Sequence, residues 1–158
     1  MASQEPNYWI MKSEPDVYGI NHLKVERETI WDGIRNYQAR NFMRSMQKGD
    51  QAFFYHSNCK PPGIVGLMEV IETHLVDPTQ FDENSKYFDP KSSSENPRWD
   101  CVKLKYIGQF SKKLTLNEIN SNFDVTELVL VRKGNRLSIM PVSYKTAKKL
   151  FGFLGDAN

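Results

Sequence analysis

The spacing of apolar and polar positions changes several times along the chain, and each change marks an element. Asn7 to Lys12 (NYWIMK) is an aromatic-aliphatic run that predicts a short buried strand. Ser13, Glu14, Pro15 and Asp16 follow with turn and helix-start chemistry, so a short helix is expected from about Val17 to Leu23. From Tyr37 to Met46 the period is helical. Ala39, Phe42, Met43 and Met46 share one face, while Arg40, Arg44 and Lys48 fall four apart on a flanking face. Gly49-Asp50 stops that helix and turns the chain into Gln51–Asn58 (QAFFYHSN). Alternation there puts Phe54, His56 and Asn58 on one side and Phe53, Tyr55 and Ser57 on the other. Such a strand is apolar on both faces at its centre and belongs deep in a sheet, its last residues emerging at the rim.

Gly63 to Thr73 reads as a second long strand, with Gly63 and Gly66 marking a bulge or sharp coiling. Thr79 to Asn96 is rich in Asp, Asn, Ser and Pro and predicts a long loop. Trp99 to Tyr106 alternates Val102, Leu104 and Tyr106 against Lys103 and Lys105, the pattern of a half-exposed strand. Thr115 to Ile119 predicts a short helix, Glu127–Val131 and Arg136–Met140 two closing strands, and Pro141 with Ser143 the start of a C-terminal helix. Coiled strands with few, short helices indicate an α+β chain built on a small mixed β-barrel, not a doubly wound α/β sheet.

Composition narrows the classes. At 158 residues the chain fits one domain, taken as 1–158. A chain of that length buries roughly 70% of its unfolded surface. Aromatics make up 12% and charged residues 25%, which argues against disorder. A net charge of +2 excludes a bulk grip on phosphates and leaves room for a local basic stripe. Cys59 and Cys101 are too few for a disulfide scaffold or a four-ligand zinc site, and both are expected as free thiols. No apolar run reaches the length of a membrane span, and the opening MASQEPN has no signal-peptide core. A reducing intracellular compartment is expected, with no membrane partner and a monomeric chain.

Catalytic sets are not evident. His22, His56 and His74 are scattered without metal-pair spacing, and the glycines form no phosphate-cradling loop. His56, inside an apolar strand, reads as a satisfied core histidine. Asp82, Glu83, Asp89, Glu95 and Asp100 crowd the polar loop and read as a solvated acidic surface; no metal or cofactor is expected. The denser signal is Trp31 to Asn41 (WDGIRNYQARN), where Arg, Asn and aromatics precede a helix. Arginine forks hold phosphates, amides pair with base edges, and a tryptophan face stacks a base. Trp31 among Asp32, Gly33, Arg35 and Asn36 suits a platform as well as a core. Trp99, after Pro97-Arg98, raises the same choice, whereas Trp9 in the first strand reads as core. Between Arg35 and Lys48 there is no acidic residue, so that segment could form a cationic wall; a solvated helix face is the plainer reading.

Six segments, Tyr8–Asp16, Trp31–Asp50, Phe53–Asn58, Gly63–Val70, Phe88–Trp99 and Arg136–Val142, together resemble the EVE domain, in that family's order and across roughly Tyr8 to Phe151. The resemblance implies a PUA-like β-barrel related to YTH domains, binding modified bases in DNA or RNA without catalysis, with modified cytosine or adenine the implied ligand. By motif, Lys12-Ser13 is similar to the Lys-Ser pair at the end of the first YTH strand, and Trp31 to the first wall of the YTH aromatic cage. Asp32 stands where YTH domains carry a small polar residue, which would change the base edge that is read. Glu14 replaces an Asn found in some YTH domains, so methyladenine specificity does not carry over. The basic N-terminal extension of eukaryotic members is missing, which favours a bacterial-type cytoplasmic protein over a nuclear one.

The expected base-contacting set is therefore Lys12, Ser13, Trp31, Asp32, Asn36, Ser57, Asn58 and Trp99, with Arg35, Arg40, Arg44, Lys48 and Arg98 on the phosphates. Two other readings compete. One is an enzyme on a modified nucleotide using Asp32 or Glu14 as general base. The other is an adaptor using the 79–96 loop.

Overall fold

A computed structural model describes residues 5–158; the first four positions of the MASQEPN stretch lie outside the described residues. Strand β1 (Tyr8–Ser13) leads into two short helices, α1 (Pro15–Tyr18) and α2 (Ile20–Glu26), where one had been expected. The break falls at Gly19, whose backbone is extended. Two histidines make the second start possible: Gly19 N–H donates to His22 Nδ1 at 2.8 Å, and Ile20 N–H to His56 Nε2 at 3.1 Å. His56 is thus a satisfied histidine, spent on the donors at a helix start.

Next come β2 (Glu28–Ile30), α3 (Tyr37–Ser45), β3 (Gln51–His56), β4 (Gly63–Val76) and β5 (Asp100–Thr115). The chain closes with α4 (Leu116–Asn122), β6 (Ile139–Val142) and α5 (Tyr144–Leu154). The three-residue β2 carries too short a pattern to be read from sequence. Helix α3 is capped by Asn36, α4 by Thr115 with Glu118, and α5 by Ser143. The closing strand expected over 127–131 is instead a turn and a 3₁₀ segment, Val129–Val131. Asp124 Oδ1 accepts the N–H groups of Thr126 and Glu127, both at 2.9 Å, and winds that stretch into a turn.

The six strands make one mixed sheet, ordered β2-β5-β4-β3-β1-β6. β1 and β3 are parallel and the other pairs antiparallel. This is the α+β sheet with short helices that was expected, though its ladder runs open from β2 to β6 and does not close on itself. Repeated register shifts coil β4 against β5. At Gly63 the strands approach so closely that a Cβ would collide with the Leu114 carbonyl.

Both faces of the sheet are buried, as the two-sided apolar centre of β3 predicts. Ile10, Phe53, Tyr55 and Ile64 pack on one side against Ile119, Leu128, Leu130 and Leu150. Met11, Phe54 and Met68 pack on the other against Leu23, Trp31, Ala39 and Met43. No helix among the described residues is long and apolar enough to cross a membrane. Cys59 and Cys101 are both free, and burial pushes the Cys101 thiol up to about 12.

Candidate nucleic-acid interface

Parallel pairing of β1 with β3 places Ser13 beside His56, so both strands end at one rim of the sheet. Ser57 N–H donates to the Ser13 carbonyl at 3.0 Å, carrying the pairing past the strand end to Asn58, which turns with φ 51°. β6 runs antiparallel to β1, so the segment before it reaches the same rim, where Lys12 N–H meets the Ser138 carbonyl at 2.8 Å. The segment after β2 arrives from the side, held by Trp31 N–H on the Val102 carbonyl at 2.8 Å.

These ends enclose an open cavity of about 810 Å³. Lys12, Ser13, Trp31, Asp32, Ser57 and Asn58 line it, so six of the eight expected base-contacting residues come together. Glu14, Lys86, Tyr87, Arg136 and Ser138 join them. A lobe of about 300 Å³ shares Ser13, Trp31, Asp32 and Tyr87 and extends to Tyr18, Thr29 and Ile30. Trp31 is at once core and wall. It is 6% exposed and packs edge-to-face on Phe54 with ring centroids 5.4 Å apart.

The 31–35 segment is pinned by Asp77, a fully buried carboxylate just past β4. Its Oδ2 accepts Gly33 N–H at 2.8 Å and Arg35 Nη1 at 3.0 Å, while its Oδ1 accepts Thr79 N–H at 2.7 Å. Arg35 also donates to the Tyr87 carbonyl at 2.7 and 2.9 Å and to Thr79 Oγ1 at 3.0 Å. Gly33 has φ 78°, and a Cβ there would stand 2.8 Å from the Tyr87 ring. A glycine at that position therefore lets the long loop lay Tyr87 against the cavity wall.

Electrostatically the cavity is mixed. Burial lowers the Lys12 ammonium, which lies 5.6 Å from the Tyr55 ring centroid. Burial first, and then the charge of Asp77, raise the Asp32 carboxyl; its own backbone N–H and Arg35 oppose the rise. Glu14 accepts Asn58 Nδ2 at 3.1 Å, whereas Asp32 has no side-chain partner among the described residues. Lys12, Lys86 and Arg136 form no ion pair among them either.

Other expected site residues lie elsewhere. Asn36 spends its Oδ1 on Ala39 N–H at 2.9 Å, capping α3. Trp99 is buried, stacked on Tyr37 at 4.8 Å, with its indole N–H on Asp89 Oδ2 at 2.7 Å. Arg35 sits 5.2 Å from the Trp99 ring and Arg40 4.6 Å from the Tyr37 ring, extending the stack. Arg40 donates to the Arg98 carbonyl at 2.9 Å, and Arg44 grips Asp100 with two bonds of 2.7 and 3.1 Å. Arg98 lies 3.8 Å from Asp89. Lys48 falls beyond the end of α3, exposed, so it does not continue the Arg40–Arg44 row. The wall that looked free of acid receives one from a distance, Asp100 of β5, which pairs with Arg44.

Sequence reasoning missed Tyr87, Lys86, Arg136 and Ser138. Tyr87 was visible as an aromatic in an otherwise polar loop, and Arg136 as the cation opening the last motif. The loop itself is tied down by the buried Gln80, which donates to the carbonyls of Asp77 and Trp99, both at 2.7 Å.

Comparison with known proteins matches residues 7–152 to the EVE domain family. Human thymocyte nuclear protein 1 is 39% identical over 156 residues, covering 87% of this chain and 69% of that protein. The zebrafish protein of the same name is 45% identical over 128 residues, and the chain spans 55% of its length. Among solved structures, a Pseudomonas syringae protein superposes with a TM-score of 0.89 at 41% identity, covering 92% of this chain and 98% of that one. Human THYN1, solved in complex with 5-methylcytosine-containing DNA, superposes with a TM-score of 0.88 at 36% identity, covering 96% of this chain and 99% of that one. The YTH domain of Mmi1, at 16% identity and a TM-score of 0.50 over 94% of this chain and 77% of that one, shares the fold.

Proposed function

The chain belongs to the EVE domain family, and on that premise we propose that it is a non-catalytic module holding a modified base of DNA in the cavity at the rim of β1 and β3. The observation that carries this reading is the convergence of Trp31, Tyr87, Ser13 and Asn58 on one cavity of about 810 Å³, with Lys12, Lys86 and Arg136 around it. Two aromatic side chains offer surface to a flipped base, and polar strand ends meet its edge. The flanking cations serve the phosphates on either side. Arg35 supports the site by holding the Tyr87 carbonyl, whereas Arg40 and Arg44 spend donors on the Arg98 carbonyl and Asp100 and do not line the cavity. The relative bound to 5-methylcytosine-containing DNA supports a modified cytosine as the ligand. A monomer working in the cytoplasm or nucleus, where DNA is found, fits this role.

The test compares oligonucleotides that differ by one 5-methylcytosine. Trp31→Leu leaves an apolar side chain against Phe54 at some cost in stability and removes the aromatic surface, so, in variant protein whose thermal melt is still cooperative, binding of the modified strand should weaken by about 1–3 kcal/mol. Full affinity and discrimination in that variant would reject the cavity. The raised carboxyl of Asp32 favours one second reading, a base-modifying enzyme. Recovery of the bound nucleoside unchanged by mass spectrometry excludes it.

A further inference from the structure

Three backbone N–H donors on the wall opposite β1 are already spent. Trp31 N–H goes to the Val102 carbonyl at 2.8 Å, Asp32 N–H to the Ile30 carbonyl at 3.1 Å, and Gly33 N–H to Asp77 at 2.8 Å. Ser13 gives its hydroxyl proton to the Tyr18 carbonyl at 2.7 Å, leaving only lone pairs for a ligand. Glu14 is engaged by Asn58. The charged acceptor left over is the Asp32 carboxylate, an exposed group that lines both the cavity and its adjoining lobe and has no side-chain partner among the described residues. An ionised carboxylate facing a partly enclosed space is stabilised by a donor brought to it, and destabilised by a second acceptor.

We propose that Asp32 is the specificity-determining residue of this site, selecting bases that present an exocyclic amino group and rejecting those that present a carbonyl at the same position. The inference rests on the base-reading function above. Cytosine offers its N4 amino group, and a carboxylate accepts from it. Thymine places O4 there, setting oxygen against oxygen. Rejection comes from the repulsive pair as much as from the lost bond. Adenine, with its N6 amino group, satisfies the same carboxylate, so the choice made by Asp32 is between amino and carbonyl edges.

5-Methylcytosine and thymine carry the same methyl group, so the comparison isolates the edge. Each is placed opposite an abasic site in otherwise identical duplexes, which removes the difference in pairing strength, and binding is measured by fluorescence anisotropy. Wild type should prefer 5-methylcytosine by roughly tenfold, within the range of one good base-edge contact. Asp32→Asn, whose amide both donates and accepts, should bring the two within about twofold, mainly by improving thymine. Asp32 has no side-chain partner among the described residues, and its ionised form is disfavoured by partial burial and the nearby Asp77 charge, so the thermal midpoint of the variant should be no lower than that of wild type and exclude misfolding as the cause. A preference that survives in Asp32→Asn, or is absent in wild type while Trp31→Leu still weakens both duplexes, overturns the role of Asp32 and leaves base reading intact. If Trp31→Leu changes neither duplex, the cavity reading fails and this inference with it.

Discussion

The guanidinium of Arg35 donates to Asp77 Oδ2 at 3.0 Å, and that same oxygen takes the Gly33 N–H at 2.8 Å. One buried carboxylate from the end of β4 therefore sets both the turn after Trp31 and the arginine that anchors Tyr87. Arg35→Gln should lower unfolding stability by about 2–3 kcal/mol, the range for a hydrogen bond to a charged group whose partner stays buried. Denaturant titration measures this. Base binding should weaken in parallel, because Tyr87 loses its anchor. A stable variant with a flattened salt dependence would show instead that Arg35 reaches a phosphate.

Gly33→Ala tests the contact between turn and loop. A left-handed alanine costs about 1–2 kcal/mol, and its Cβ meets the Tyr87 ring as well. The steric part should disappear when Tyr87→Ala is added, so a double-mutant cycle should show a coupling above about 0.5 kcal/mol. Additive losses would mean that the ring moves aside freely.

Salt dependence of binding should map to the cavity rim, not to α3. Arg136→Gln removes a cation without an ion pair among the described residues and should reduce the slope of log K against log salt by about 0.7–0.9 for one lost phosphate contact. Arg44→Gln breaks only the internal pair with Asp100 and should leave the slope unchanged. The opposite pattern would return the phosphates to the helix face.

His56 makes a pH prediction. Its Nε2 accepts from Ile20 N–H, and burial followed by the charge of Lys113 lowers its pKa in the folded state. The unfolded chain therefore binds the proton more readily. The stabilisation is fully present above the unfolded value of about 6.5 and declines as pH falls through that value toward the lower folded one. His56→Gln keeps an acceptor that does not titrate, so its stability should change less than wild type between about pH 7.5 and 5. Equal slopes would place the proton uptake elsewhere.

Much of the site was legible where residue type and local order suffice. Ser13, Asn58 and Trp31 each stand at or just past an element boundary, and boundaries follow from local periodicity and capping. Asn36 shows the limit, since its type suits a base edge and a helix cap equally, and only the neighbouring Ala39 N–H decides. Tyr87 was harder, because a loop residue gains a role from the segment that anchors it.

By itself the sequence determined the strands buried on both faces, the helix at Tyr37–Ser45, the capped C-terminal helix, and the family motifs that mark the rim. Alternation, helical spacing and cap chemistry act within a few residues, so they are written in the order of the chain. Tertiary structure decided which charges remain free. Arg35 finds Asp77 across 42 positions and Arg44 finds Asp100 across 56, while Lys12, Arg136 and Asp32 are left facing the cavity. A charge in a sequence has a sign but no partner; pairing depends on which distant segments the sheet brings within about 4 Å, where attraction and added hydrogen bonds offset the cost of leaving water.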